Sequence, residues 1–97
     1  MRVAVQGELD LATAPQMSEE LERVRNRPGL ARVIVDLREL VFLDSTGLET
    51  IVKLDLAGAA DGFEVAVVRG PRAVERLFAV MQLDRRLRMV DDPAELA

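Results

Sequence analysis

Two short runs without one polar residue, Val33-Ile34-Val35 and Val65-Ala66-Val67-Val68, constrain this chain more than any other feature. A strand with one wet face alternates apolar and polar residues. A strand that is apolar at every position is covered on both faces, as central strands of parallel sheets are. Parallel neighbours need a long crossover, and the segment between the two runs is long enough to hold a helix. The same reading extends to both sides. Val3–Val5 reads as a strand ending near Gly7, and Leu87–Val90 as a short last strand at a sheet edge.

The segments between these strands carry helical periodicity. Thr13-Ala14-Pro15-Gln16 has the T-x-x-Q capping-box form with proline in the first turn. Met17, Leu21 and Val24 follow on one face, Glu19, Glu20, Glu22 and Arg23 on the other, and Pro28-Gly29 ends the helix. A second helix is expected from about Ser45 to Ala60, turning Leu48, Ile51, Val52, Leu56 and Ala59 to the core and stopping at Asp61-Gly62. A third opens at Pro71 and carries Val74, Leu77, Phe78 and Met81. Asp92-Pro93 reads as the start of one more, close to the last residue, Ala97. Met17, Met81 and Met89 are expected to fill the core. The order is β-α-β-α-β-α-β: an α/β protein with a largely parallel or mixed four-stranded sheet and three to four helices. At 97 residues, positions 1–97 form one domain.

Composition removes whole classes of chemistry. With no Cys there is no disulfide framework and no thiolate metal site, which fits a reducing compartment. With no His the commonest general base is gone, and a Ser-His-Asp triad cannot be built. Neither phosphate-cradling glycine motif is present, nor is G-x-S-x-G. Acids fall on the polar sides of helices or in turns, and Asp91-Asp92 before a proline reads as a cap and not a cation site. No catalytic residue, cofactor or metal is therefore expected. The net charge of −4, from 13 basic and 17 acidic residues, argues against a nucleic-acid or anionic-membrane partner. Arg23–Arg27 and Arg85–Arg88 read as solvated helix ends. Met1–Val5 is followed by Glu8 and Asp10, unlike a signal peptide, and no apolar stretch approaches a membrane span. A soluble, cytoplasmic protein is expected.

Two places remain. Gly7-Glu8-Leu9-Asp10 reads on physics alone as a strand-ending turn. Asp44-Ser45-Thr46-Gly47 reads as a helix start, where Asp44 or Ser45 can accept a bond from a free N–H. Yet Leu48 stands where a capping box from Ser45 would want Glu or Gln, and a first-turn glycine costs roughly 1 kcal/mol in propensity. Gly47 makes more sense if something approaches the backbone closely. Glu49, Lys53 and Asp55 on the outer side of this helix read as solvated charge.

These residues resemble the STAS domain family, and within it the stand-alone bacterial anti-sigma-factor antagonists. "GELD" followed by Thr13-Ala14 is similar to the family's first motif, and "VIVDLRELVFLDSTGLETIV" to its second, centred on D-S-[ST]-G-[LI]. "GPRAVERLFAVMQLDRRLRMVDD" is similar to the third segment. The resemblance implies a binding module switched by phosphorylation, with Ser45 at the family's phosphorylated position. It implies an anti-sigma factor with serine-kinase activity as partner, and a PP2C-type phosphatase that reverses the mark. Asp10 lies at the carboxyl end of the first strand and Ser45 follows the second, so a parallel sheet puts both motifs on one edge. Asp10, Asp44, Ser45, Thr46, Gly47 and Leu48 are the expected centre of the partner surface, with Glu49 and Lys53 as rim contacts.

The chain departs from the family's pattern in three ways. The family's usual extra strand ahead of the one that leads into "GELD" is not expected here, which would open a sheet edge to pairing and allow a monomer or a strand-exchanged dimer. The C-terminal helix is short, and Glu49 stands where a small residue is usual. The alternative is a STAS module of another regulator: transporter-associated, a stress-signalling scaffold or a lipid-related complex.

Overall fold

In the computed structural model, which describes residues 1–96, the two apolar runs are neighbours at the centre of a parallel sheet. They form β3 (Arg32–Asp36) and β5 (Glu64–Val68), with Val33 opposite Val65 and Val35 opposite Val67. The short strands β1 (Arg2–Ala4) and β6 (Arg88–Val90) flank them, giving the order β1-β3-β5-β6 with every pairing parallel. Val33, Val35 and Val67 have no exposed surface and join the main core with residues of α1 (Ala14–Arg25), α2 (Ser45–Asp61) and α3 (Arg72–Val80). The opposite face holds Ala66, Val68 and Val90, closed by Leu96 from a short 3-10 turn over Pro93–Leu96. Both faces are covered, which is why neither run alternates.

The four expected strands are present, but the single four-stranded order is incomplete. Two further strands, β2 (Gly7–Leu9) and β4 (Leu40–Leu43), pair in parallel as a separate small sheet. β1 and β3, already neighbours, both bend at the same level and continue as this second pair. Val5 N–H to the Asp36 carbonyl and Gly7 N–H to the Glu39 carbonyl stitch the bend, and Gly7 takes a φ of +73° there. Gly7-Glu8-Leu9 of "GELD" is thus a strand, and the expected turn begins only at Asp10. Such short strands offer too little pattern to be read locally; their pairing exists only because β1 and β3 are adjacent.

The helices start and stop close to where their signals lie, while two details differ. The capping box at Thr13 is not formed, because its hydroxyl is drawn instead into the turn before the helix. In α2 the buried stripe runs through Gly47, Leu48, Thr50, Ile51, Leu54, Ala57 and Gly58, while Val52 is half-buried. Leu56, expected in the core, is 54% exposed, and Ala59 is exposed as well. Leu56 stands five positions past Ile51, well over a quarter turn from the buried line at 3.6 residues per turn. Met17 is buried and Met89 packs against the core, but Met81, the C-cap of α3, is 52% exposed. The helix ends before it can fold Met81 under. Gly62, with a φ of +86°, closes α2 in the left-handed conformation that glycine favours.

Candidate functional site

The carboxyl ends of β2 and β4 lie side by side, with Leu9 opposite Leu43, and this register brings the two motifs together. Asp44 caps α2: its Oδ1 accepts the Gly47 N–H at 2.8 Å. Its Oδ2 accepts the Leu11 N–H at 3.2 Å, so one carboxylate ties the helix start to the loop after β2. The Asp44 N–H in turn donates to the Leu9 carbonyl at 3.2 Å.

Gly47 completes the junction. A β-carbon there would stand 2.2 Å from the Leu9 carbonyl oxygen, closer than any real contact. The close approach that its presence suggests is therefore made by the chain's own strand β2. Gly47 is buried, and Leu48 is only 2% exposed; both hold the site in place and offer little surface to a partner.

Asp10 organises the other half. Its Oδ1 accepts the N–H groups of Ala12 at 3.0 Å and Thr13 at 3.1 Å. The Thr13 hydroxyl donates to the Glu8 carbonyl and accepts the Asp10 N–H, each at 2.9 Å. The carboxylates of Asp10 and Asp44 are both engaged by backbone N–H groups, so their first role is to shape two adjoining loops.

Ser45 is the first residue of α2 and is exposed; among the described residues its hydroxyl has no hydrogen-bond partner. Thr46 is half-buried, and its carbonyl accepts the Thr50 hydroxyl at 3.3 Å. Glu49 and Lys53 are exposed along α2 beyond Ser45. None of Glu8, Asp10, Asp44, Glu49 and Lys53 belongs to an ion pair among the described residues. Asp44 and Glu49 beside Ser45 thus stand outside any ion pair among the described residues, at a helix end that is itself roughly half a unit positive. No group of His, Cys, Asp and Glu among the described residues is placed to hold a metal ion. No described helix is long and apolar enough to cross a membrane.

All the expected centre residues lie at this one junction. Sequence reasoning missed Leu9 and Leu11, which act through their backbone carbonyl and N–H, a role that no side-chain pattern reveals. It also missed a groove beside Ser45, lined by Leu48, Val52, Met81 and Leu83. Its only sequence signal is an apolar residue at the end of a helix.

The profile of the STAS domain matches residues 1–96. Osmosensory protein A of Mycobacterium tuberculosis is 33% identical over 75 residues, which cover 77% of this chain. The match spans 46% of that relative's length, about half. Among solved structures, an anti-sigma factor antagonist from Mycobacterium paratuberculosis superposes with a TM-score of 0.79 at 26% identity. That match covers 97% of this chain and 79% of the other. The anti-sigma factor antagonist SpoIIAA in its unphosphorylated form has a TM-score of 0.73 at 18% identity, over 97% of this chain and 81% of its own, a likeness of fold. With its profile matched from end to end of the described residues, its two motifs joined through Asp44 and its α/β architecture shared, the chain belongs to the STAS domain family.

Proposed function

We propose that this chain is an anti-sigma-factor antagonist of the cytoplasm. Unphosphorylated, it binds an anti-sigma factor that is also a serine kinase and so releases a sigma factor. Phosphorylation of Ser45 ends the binding, and a PP2C-type phosphatase restores it. The chain is the substrate of both reactions and the enzyme in neither.

One observation carries the reading: a free, exposed serine hydroxyl opens α2 within a junction that positions the two motifs together. The likeness to solved anti-sigma factor antagonists supports it. A phosphate on Ser45 adds about −1.5 to −2 charges at a helix N-terminus, where first-turn N–H groups and the helix dipole tolerate it. A docked partner is affected differently. Burying that dianion beside Asp44 and Glu49 against a protein surface is unfavourable unless the partner supplies cations for it. The same group therefore leaves the fold intact and loosens the interface.

The test is reconstitution. The kinase captured from the native cell is incubated with ATP and this chain, and incorporation is mapped. Phosphate at Ser45 that vanishes in Ser45→Ala is the expected result. Equal affinity of the partner for wild type and Ser45→Asp would sink the charge switch. A second reading, a STAS module in stress signalling, draws on the identity with a relative named as osmosensory. It predicts capture of a scaffold or sensor without sigma-factor release in the same assay.

A further inference from the structure

A groove of about 300 Å³ runs between α2 and the turn after α3, and Ser45 stands at its end. Half-buried Val52 of α2 and exposed Met81 after α3 are its accessible apolar walls, over the buried Leu48 and Leu83, with Glu49 and Lys53 as its polar rim. Met81 is half exposed within this lining. Gln82 adopts a φ of +58°, the one left-handed non-glycine residue among those described. That conformation is unfavourable for a residue with a β-carbon and is held here by the surrounding structure. It turns the chain back so that Leu83 is buried while Met81 stays at the opening. A second cleft, of about 160 Å³ between α1 and α2, lacks Ser45 in its lining, and Arg25 on its rim is already paired with Asp61 and Glu22.

We infer that the groove receives an apolar side chain of the anti-sigma factor, set beside a basic residue that faces the acidic end at Ser45. This inference rests on the function proposed above. The groove is continuous with the proposed contact surface through Ser45; Asp44 precedes that serine, Glu49 shares the groove's rim with Lys53, and neither acid belongs to an ion pair among the described residues. A small apolar pocket at the edge of a charged patch is the arrangement in which one anchoring side chain dominates binding, while complementary charge sets register and encounter rate. It also bears on the switch: a phosphate on Ser45 puts a dianion beside the anchor as it leaves water, where a single basic residue already facing Asp44 and Glu49 has no charge left to offset it.

The test uses the full chain and the anti-sigma factor captured on it and then purified. Met81→Glu is expected to weaken binding at least tenfold, and Met81→Leu to keep it within about threefold. Val80→Glu, 69% exposed in the wild type and outside the groove, is expected to change it less than twofold. Because Met81 is already half exposed, thermal melting of all three should match wild type. Methionine methyl resonances give a second readout: Met81 shifts on adding the partner, buried Met17 does not, and phosphorylation of Ser45 restores the free Met81 signal. Loss of affinity in Ser45→Asp with none in Met81→Glu would overturn the groove and leave the antagonist reading standing. A partner indifferent to Ser45→Asp but lost with Met81→Glu would keep the groove and overturn the switch.

Discussion

Asp44 and Leu11, 33 positions apart in sequence, are joined by a hydrogen bond from the Leu11 N–H to the Asp44 carboxylate. The other carboxylate oxygen caps α2 at Gly47, so this one side chain holds the serine-bearing helix against the loop after β2. Asp44→Ala should lower stability by about 1–2 kcal/mol through loss of the cap alone. Denaturant unfolding measures it. Amide hydrogen exchange at Leu11 should accelerate in the same variant, while Asp44→Asn keeps an acceptor and shows less of both effects.

Position 47 allows a test by sign. In an open first helical turn, Gly→Ala would stabilise by about 1 kcal/mol. The Leu9 carbonyl occupies the space that a β-carbon needs. Gly47→Ala is therefore expected to destabilise by about 1–3 kcal/mol. For a domain of this size that lowers the melting temperature by about 4–8 °C per kcal/mol.

Ser45 should behave in the opposite way. Its hydroxyl makes no bond to the described protein, so Ser45→Ala should stay within about 0.5 kcal/mol of wild type. Phosphorylated protein should melt within a few degrees of the unmodified chain, since a helix-end anion contributes only about 0.3–1 kcal/mol. A large fall in melting temperature on phosphorylation would mean that the switch acts by unfolding and not at the interface.

Asp36 gives a pH signature. It is 5% exposed at the end of β3, and the Arg38 guanidinium grips both its oxygens, at 3.0 and 2.7 Å. Hydrogen bonding from Arg38 holds its pKa below the ordinary value, outweighing the opposing effect of burial. A carboxylate lowered in the folded state contributes stability that is fully present above its unfolded pKa. That contribution is lost as pH falls through the lower native value. Wild type should thus lose stability as pH drops below about 4, and Asp36→Asn should show a shallower slope there. Because Arg38 is 45% exposed, the substitution should cost only about 1–2 kcal/mol at neutral pH.

Leucines 54 and 56 of α2 differ by two positions and by their whole environment. Leu54 is 4% exposed and Leu56 54%. Leu54→Ala should destabilise by about 2–4 kcal/mol, and Leu56→Ala by less than about 0.5 kcal/mol. Paired chemical-denaturation curves decide it.

The chain's own order of residues determined its class. Runs such as Val33–Val35 and Val65–Val68 state locally that both sheet faces are covered, and Gly62 and Pro71 mark a helix end and a helix start through their own backbone limits. The helix start at Ser45 was equally legible, because a cap is a contact between neighbours in sequence. What only the tertiary structure decided depends on neighbours in space. The strand at Gly7–Leu9 exists because β4 lies beside it, and Gly47 is required because the Leu9 carbonyl arrives there. The side of α2 that is buried, and so the exposure of Leu56, follows from where α1, β5 and β2 meet the helix. Met81 passed in sequence for a core residue, and its place at the mouth of a groove was set by the left-handed turn at Gln82 and the return of Leu83 to the core. Backbone groups and turns of this kind carry no residue-type signature, so folding had to bring them together before the site existed.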